Sequence, residues 1–187
     1  TVVELIQRGY NPIIVDDFRN SSSEVIDGIE AIVGTRPVTY ELDVTCKSDL
    51  SKVFATHDLD GVIHFAAKSL VGESVKKPEI YYRNNIFGTL NLINEMQKNG
   101  VNNLVFSSTA AIFGNPVTDK IAENHPKTPI NPYGQSKLMV ENILQDLCLA
   151  NEFNATCLRY FNAAGAHKLS DIGEAHDPET HLIPNIL

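Results

Sequence analysis

The stretch Pro12-Ile13-Ile14-Val15-Asp16-Asp17 places the chain in the α/β class. Its β-branched, uninterrupted apolar centre is typical of a strand buried on both faces of a parallel sheet, and two acids follow it. Just upstream, residues 1–8 have the apolar spacing of the end of an amphipathic helix, and Gly9 is suited to terminate it. We therefore expect the chain to begin inside one element of a helix–strand alternation.

The same alternation continues downstream. Further strands are predicted at 38–44, 61–65, 103–108 and 155–160, and helices at 48–56, 78–99 and 133–151. Pro78 suits a first helical turn and Gly100 a helix end, whereas the prolines of segment 115–132 predict an irregular loop. The pattern predicts an α/β fold with a doubly wound parallel sheet of the Rossmann type.

Composition excludes several classes of function. The formal net charge of -8 and the isoelectric point near 5.2 argue against a surface that binds nucleic acid. Cys46, Cys148 and Cys157 have no metal-binding spacing and are expected to be buried free thiols, so no metal site is predicted. No segment is apolar enough to span a membrane, and a cytoplasmic location is the expectation.

Asp16 follows the first visible strand, where a dinucleotide-binding fold places an acid that accepts hydrogen bonds from the adenosine ribose. A carboxylate at this position repels a 2′-phosphate, which favours NAD over NADP. Arg19 is close enough in sequence to pair with such a phosphate, so NADP stays an alternative cofactor. A helix cap or a solvated turn is the alternative role for this acid.

Tyr133 and Lys137 are four residues apart in a predicted helix, so their side chains lie within about 40° of one another around its axis. A phenol with a pKa near 10 is a poor base at neutral pH, but an adjacent ammonium group and a positively charged nicotinamide stabilise its phenolate. Tyr133 is therefore a candidate to take a proton from a sugar hydroxyl as hydride leaves the same carbon. Chance spacing on a solvated face is the alternative.

Small and polar residues follow two predicted strands on the ligand side of the sheet. Ser107, Ser108 and Thr109 are candidates to bind a substrate hydroxyl, or else cap the strand end. The small residues after Phe65 allow a cofactor to approach closely, or form a tight turn. Asn84 and Asn85 interrupt a mostly apolar helix and are further candidate donors, with a surface position as the alternative for one of them.

Six blocks together resemble the UDP-glucose 4-epimerase family of extended short-chain dehydrogenases in order and spacing. They are Phe65-Ala66-Ala67, Val71-Gly72-Glu73-Ser74, Tyr82-Arg83-Asn84-Asn85, Phe106-Ser107-Ser108-Thr109, Pro132-Tyr133-Gly134-Gln135-Ser136-Lys137 and Arg159-Tyr160-Phe161-Asn162. The resemblance covers nearly the whole chain.

The resemblance implies roles for individual residues. Tyr133 is the expected catalytic base and acid, Lys137 tunes it and holds the nicotinamide ribose, and Thr109 lies beside the sugar hydroxyl. Asn162 and His181 are the further expected substrate contacts. The cofactor-binding positions expected beside Tyr133 and Lys137 are Asp16, Asp43, Val44, Phe65, Ala66, Asn84, Ser107 and Phe161.

The activity implied by the resemblance is reversible NAD-dependent epimerisation at C4 of UDP-galactose and UDP-glucose through a 4-keto sugar, in galactose metabolism. Epimerases of UDP-N-acetylhexosamines or UDP-uronates stay open. A dehydratase is disfavoured, because Thr109 is followed by Ala110 and Ala111 where such enzymes have an acid and a base. A non-catalytic nucleotide-binding relative is the alternative of another class. The expected partners are a UDP-hexose and a second copy of the chain in a homodimer.

The Gly-rich phosphate turn and the central first strand are absent from the sequence and are expected before Thr1. The strands near Ile13 and Gly61 would then flank a gap. We expect residues 1–165 to be a partial NAD-binding domain and 166–187 to begin a substrate-binding region. The sequence is thus expected to be part of a longer protein, and a polypeptide limited to it to neither retain NAD nor epimerise.

Overall fold

A computed structural model describes residues 1–150, 153–163, 165–167, 172–173, 179 and 182–186, with the backbone alone for residues 182 and 184. In chain order the elements are α1 (Val2–Gln7), β1 (Ile14–Asp16), α2 (Glu24–Val33), β2 (Thr39–Glu41), α3 (Lys47–Thr56), β3 (Val62–His64), α4 (Val71–Lys76), α5 (Pro78–Tyr81), α6 (Gly88–Lys98), β4 (Asn103–Thr109), α7 (Pro132–Ala150), β5 (Asn154–Tyr160) and α8 (Leu182–Ile186). The chain divides into two compact units, Thr1–Asp43 with Asn162–Leu187, and Val44–Phe161.

The first unit contains a two-stranded parallel sheet in which β1 pairs with β2. Its core is the buried apolar set Val3, Ile26 and Ile29, supplied by α1 and α2. The predicted helix end is confirmed, because Gly9 has a φ of +85°, a backbone conformation that glycine adopts without steric cost.

The second unit contains a three-stranded parallel sheet in the order β3-β4-β5. The residues at the strand ends are aligned, with His64 opposite Phe106 and Thr109 opposite Tyr160. Since parallel strands require crossover connections, helices separate the strands along the chain, as the predicted alternation requires. The predicted class of parallel α/β sheet is confirmed, and the sheet order brings the ends of β3, β4 and β5 to one edge.

The helix expected over 78–99 is interrupted in the structure. Tyr82–Phe87 forms a π-helical segment between α5 and α6, in which the Gly88 amide donates to the carbonyl of Arg83, five residues earlier. Such segments widen the helix locally and are frequent at functional sites. Asn84 and Asn85 both lie in this segment, so a uniform helical period does not describe their orientation.

Within the described residues, four elements were not predicted from the sequence: α2, α4, α8 and a 3-10 turn at Ala110–Phe113. Both α4 and the 3-10 turn are too short to show a helical period. The irregular loop predicted after residue 115 is confirmed up to the start of α7 at Pro132. The cysteines are free thiols, but all three are half-buried rather than buried.

Candidate active site

The end of β4 supplies three consecutive hydroxyl side chains with different surroundings. Ser108 is buried and donates to Glu141 on α7 at 2.6 Å. Thr109 is also buried, and its hydroxyl oxygen accepts from the Ala111 amide at 3.1 Å. Ser107 is half-buried, and its carbonyl faces Lys137. Ser107 and Thr109 are thus the members of this run that face the predicted pair Lys137 and Tyr133 on α7.

The start of α7 packs closely on the turn that follows β4. A Cβ atom on Gly134 would lie 2.5 Å from the carbonyl oxygen of Ala111, closer than any real side chain tolerates. Asn131 completes this end of the helix, because its side-chain oxygen accepts from the Gly134 amide at 2.8 Å. The absent side chain at Gly134 therefore lets the preceding residue, Tyr133, approach Thr109.

Tyr133 is half-buried, and its phenol lies near the Thr109 hydroxyl. Burial raises the pKa of the phenol above its usual value, because the charged form loses hydration, while the nearby Thr109 hydroxyl partly offsets this effect. The phenol is therefore neutral at physiological pH in the absence of a further positive charge.

Lys137 is only 3% exposed, although it carries an ammonium group. Its Nζ donates to the carbonyl oxygen of Ser107 at 2.7 Å and lies 4.7 Å from the centre of the Phe106 ring. Burial lowers the pKa of this ammonium group to about 8. The side chain is thus a pre-positioned cation that titrates close to neutral pH.

Asn85 joins the π-helical segment to two neighbouring parts of the site. Its side-chain oxygen accepts from the Lys68 amide at 2.8 Å, and its side-chain nitrogen donates to the Lys68 carbonyl and to the Ser136 hydroxyl, each at 3.0 Å. The neighbouring Asn84 is half-buried and donates to the same oxygen at 3.2 Å. Asn85 therefore holds the loop after β3 against the helix that carries Tyr133.

His64 ends β3 and is buried beside this network. Its Nε2 lies 2.8 Å from the hydroxyl oxygen of Thr89, which donates its own proton to the Asn85 carbonyl. Nε2 must then carry the hydrogen of the neutral ring. Burial, and secondarily the charge of Lys137, lower the pKa of His64 to about 3, so the ring stays neutral in the folded protein.

Some of the cofactor-binding positions predicted in the second unit lie directly after the strands of its sheet. Phe65 and Ala66 follow β3 directly, and Phe161 follows β5, with Phe65 50% and Phe161 70% exposed. Val44 is buried against Gly88, where a Cβ atom would come within 2.9 Å of its side chain. The exposed aromatic rings leave apolar surface at the strand ends, next to the predicted catalytic residues.

In the first unit, Asp16 lies at the carboxyl end of β1, as predicted. One carboxylate oxygen accepts from the Phe18 amide at 2.8 Å and from the Ser21 hydroxyl at 3.1 Å. Arg19, the candidate partner of an NADP 2′-phosphate, pairs instead with Asp17 at 3.4 Å and with Asp43 at 3.0 Å. Two carboxylates thus already neutralise the guanidinium group that a 2′-phosphate would need.

The two remaining predicted substrate contacts are less defined. Asn162 is exposed, and His181 lies outside the described residues. No group of three or more His, Cys, Asp or Glu side chains with metal-binding geometry occurs within the described ranges. Across the same part of the chain, every helix is too short or too polar to cross a membrane.

Sequence reasoning did not assign roles to His64, Glu141 and Arg159, which surround the site. Glu141 follows Lys137 by four residues, so the helical spacing that links Tyr133 to Lys137 also places Glu141 on the same stripe. That extended spacing was a signal for a further polar residue on the inner face of α7. His64 had no comparable signal, because it ends an ordinary apolar strand.

Comparison with known proteins identifies the fold family. The profile of the NAD dependent epimerase/dehydratase family matches residues 1–187. Curated relatives include the UDP-glucose 4-epimerases of Dictyostelium discoideum, 49% identical over 188 residues, and of Yersinia pestis, 46% identical over 189 residues. Each alignment covers 100% of this chain and 54% or 55% of the relative, so the chain spans about half the length of these relatives.

Solved structures agree with this assignment. The UDP-glucose-4-epimerase from Stenotrophomonas maltophila with bound NAD and formylated UDP-arabinopyranose is 40% identical and superposes with a TM-score of 0.94, over 98% of this chain and 55% of that one. The UDP-glucose 4-epimerase from Bifidobacterium longum in complex with NAD+ and UDP is also 40% identical, with a TM-score of 0.87 over 92% and 53% of the two chains.

These likenesses confirm the predicted Rossmann-type fold and, at the level of the family, the predicted cofactor NAD. The cluster of Thr109, Tyr133 and Lys137 lies within the matched region. The chain belongs to the NAD dependent epimerase/dehydratase family.

Proposed function

We propose that the complete protein is an NAD-dependent epimerase that interconverts UDP-galactose and UDP-glucose by inverting C4 of the sugar. The observation that carries this proposal is the position of the Tyr133 phenol near the Thr109 hydroxyl, on the same helix as the buried Lys137 ammonium group, which donates to Ser107 at the same strand end. A hydroxyl, a phenol and a cation in this order can bind a sugar hydroxyl, accept its proton and stabilise the resulting phenolate.

The environment of Tyr133 indicates when proton transfer becomes favourable. Burial keeps the phenol neutral in the protein alone, so its pKa must fall before it acts as a base. The nearby Thr109 hydroxyl lowers the phenol pKa in part. Lys137, four residues further along the same helix, carries a positive charge. A bound, positively charged nicotinamide would lower the phenol pKa further, so we infer that the base becomes active only when the cofactor is bound.

The side chains present suit NAD. Asp16 provides a carboxylate at a strand end for ribose hydroxyls, while the Arg19 guanidinium is neutralised by Asp17 and Asp43. When bound there, NAD would supply the group that takes hydride from the sugar C4 and returns it to the same carbon. The proposed cofactor contacts in the first unit are Asp16 and Asp43. Those proposed in the second unit are Val44, Phe65, Ala66, Asn84, Ser107, Tyr133, Lys137 and Phe161.

The residues of the site suit oxidation and return of hydride at one carbon. Tyr133 accepts the C4 hydroxyl proton, the 4-keto sugar presents its other face, and Tyr133 returns the proton after hydride transfer. Elimination of water needs an additional acid and base beside Thr109, whereas the next residues are Ala110 and Ala111. This disfavours a dehydratase, and the intact Tyr133 and Lys137 disfavour a non-catalytic relative.

The site could discriminate among several UDP-sugars, and UDP-galactose and UDP-glucose are the proposed substrates. A similar structure, 37% identical, is the UDP-Glc/GlcNAc 4-epimerase from Campylobacter jejuni, so UDP-N-acetylhexosamine is the second candidate substrate class. Thr109, Tyr133, Asn162 and His181 are the proposed sugar contacts. UDP-uronates are the third candidate substrate class, and turnover of each class by the complete protein distinguishes them.

We also propose a cytoplasmic homodimer that acts in galactose metabolism. The helices that begin at Pro78 and at Pro132 are the proposed contact faces. Phe87, in the π-helical segment, is 50% exposed, and Met139 on α7 is 41% exposed. Apolar side chains on these two helices provide surface that association would remove from water.

The test is conversion of UDP-galactose by the purified complete protein, with substrate deuterated at C4. We expect UDP-glucose to form without added reductant and to retain the deuterium at C4, because hydride returns to the carbon it left. Release of a dehydrated sugar would identify a dehydratase instead. Binding of NAD and UDP-sugar without any turnover would support the non-catalytic alternative.

A further inference from the structure

Glu141 is a buried carboxylate that the proposed proton and hydride transfers do not use. It is 6% exposed and lies on α7, four residues after Lys137. Its Oε1 accepts from the Ser108 hydroxyl at 2.6 Å and from Nε of Arg159 at 2.9 Å. Its Oε2 accepts from the second guanidinium branch of Arg159 at 2.9 Å and from Lys127 at 3.2 Å.

The charge state of Glu141 follows from these contacts. Burial alone would raise the pKa of the carboxyl group, but hydrogen bonds from Arg159, then Ser108 and Lys127, lower it below its usual value. Arg159 also pairs with Glu123 at 3.1 Å, so two cations face two anions. Because buried ion pairs recover their desolvation cost only in good geometry, such a network constrains positions more than it adds stability.

The network lies where two strands end beneath the catalytic helix. Ser108 on β4 and Arg159 on β5 are direct register partners, and Glu141 binds both. The residues on either side of Ser108 are those that face the proposed catalytic pair: the Ser107 carbonyl accepts from Lys137, and the Thr109 hydroxyl lies near Tyr133. Glu141 therefore holds the middle residue of the strand end that both of these side chains approach.

The spacing of residues along α7 links the Glu141 network to the proposed proton transfer by Tyr133. Tyr133, Lys137 and Glu141 follow one another at intervals of four residues on one stripe of the helix. A displacement of α7 along β4 would therefore move all three together. Misplacement of a reacting group by about 1 Å can lower a rate by about 100-fold, so a fixed helix height matters for proton transfer.

We propose that Glu141 is a positioning residue: it holds α7 at one height against the ends of β4 and β5, so that Tyr133 meets Thr109 and Lys137 meets Ser107. This proposal rests on the proposed epimerase function of the same site. Arg159 and Ser108 are the groups through which Glu141 acts, and none of the three needs to touch substrate or cofactor.

The first test is Glu141→Gln in the complete protein. Glutamine keeps the volume and one acceptor for Ser108 but cannot supply two anionic oxygens to Arg159. We expect retained NAD, a KM for UDP-galactose within about threefold of wild type, and a kcat lowered about 10-fold or more. The acid limb of the kcat–pH profile should move to higher pH, because a displaced Thr109 no longer lowers the Tyr133 pKa.

Two further variants separate positioning from general stability. Glu95→Gln is the matched control, because Glu95 is 2% exposed and pairs with Lys98 at 2.7 Å on α6. It should lower stability without moving the pH profile. Ser108→Ala removes a single hydroxyl, and we expect a smaller change in the same direction as Glu141→Gln. It also provides the test if Glu141→Gln does not fold.

Hydrogen exchange of the Ala111 amide gives a readout that does not need turnover, because this amide donates to the Thr109 hydroxyl oxygen. Exchange should be faster in Ser108→Ala and Glu141→Gln than in wild type and Glu95→Gln. Unchanged exchange in both site variants overturns the positioning role, whether or not the wild type is active. If exchange is faster in the two site variants but the wild-type protein does not epimerise UDP-galactose, the positioning role is supported. Only the proposed epimerase function is then contradicted.

Discussion

The ammonium group of Lys137 donates to the main-chain carbonyl of Ser107 at 2.7 Å, which links a helix to a strand 30 residues earlier. A carbonyl at a strand end is a rigid acceptor, whereas a lysine side chain is flexible. The contact therefore fixes the position of the ammonium group at the end of β4. It also explains why a cation with so little exposure is tolerated, since the carbonyl and the Phe106 ring replace part of its hydration.

Replacing Tyr133 by Phe in the complete protein should lower kcat by orders of magnitude, because the variant has no group to transfer the proton. The fold and NAD binding should persist, since only the hydroxyl is removed. Turnover of UDP-galactose and circular dichroism check these expectations together. Turnover close to that of the wild type would refute the catalytic assignment.

Replacing Lys137 by Met should lower turnover by a similar order and change how stability depends on pH. The folded pKa of about 8 lies below the unfolded value of about 10.5, so between these values the unfolded wild type binds more protons. The free energy of unfolding of the wild type then gains up to about 1.4 kcal/mol per pH unit from this group. Below pH 8 both states are protonated and the gain is absent.

For Lys137→Met this contribution does not exist. The stability of the variant relative to wild type should therefore be greatest below pH 8 and should decline between pH 8 and pH 10. Urea unfolding at several pH values measures the difference. Other groups that titrate in this range, such as Cys157, are present in both proteins and cancel. A difference independent of pH would contradict the buried, titrating ammonium group.

Replacing Asp16 by Ala should weaken NAD binding and reduce the preference for NAD over NADP, because the charge that binds ribose and repels a 2′-phosphate is lost. Asp16→Asn is the matched variant, since its amide oxygen still accepts from the Phe18 amide and preserves the turn. We expect the NAD to NADP affinity ratio to fall about 10-fold or more in both. An unchanged ratio would remove Asp16 from the cofactor site.

His64 should make the protein sensitive to mild acid. Its folded pKa of about 3 lies below the unfolded value of about 6.5, so below pH 6.5 the unfolded chain binds a proton that the folded protein excludes. Stability should fall as pH decreases from 6.5 to 5, by up to about 1.4 kcal/mol per unit. In His64→Gln, which keeps a donor for Thr89, this part of the decline should disappear. Parallel urea titrations of both proteins that decline equally would contradict the prediction.

The sequence was sufficient for the features that depend on neighbours along the chain. Apolar runs and helical periods predicted the strands and most helices, and Gly9 and Gly100 end helices with positive φ, as their lack of a side chain suggests. The four-residue spacing of Tyr133 and Lys137 likewise predicted that both face the same way. These properties are local, because backbone preferences and helical geometry act over a few residues.

Contacts between distant segments were accessible from the folded structure alone. The three hydroxyls of 107–109 are equivalent in sequence, but strand register and the position of α7 direct Ser108 to Glu141 and Thr109 to Tyr133. The sequence likewise did not predict the π-helical segment or the burial of His64. Long-range packing determines which polar group loses its water and which partner replaces it, and that exchange sets the pKa values and positions on which the proposed chemistry depends.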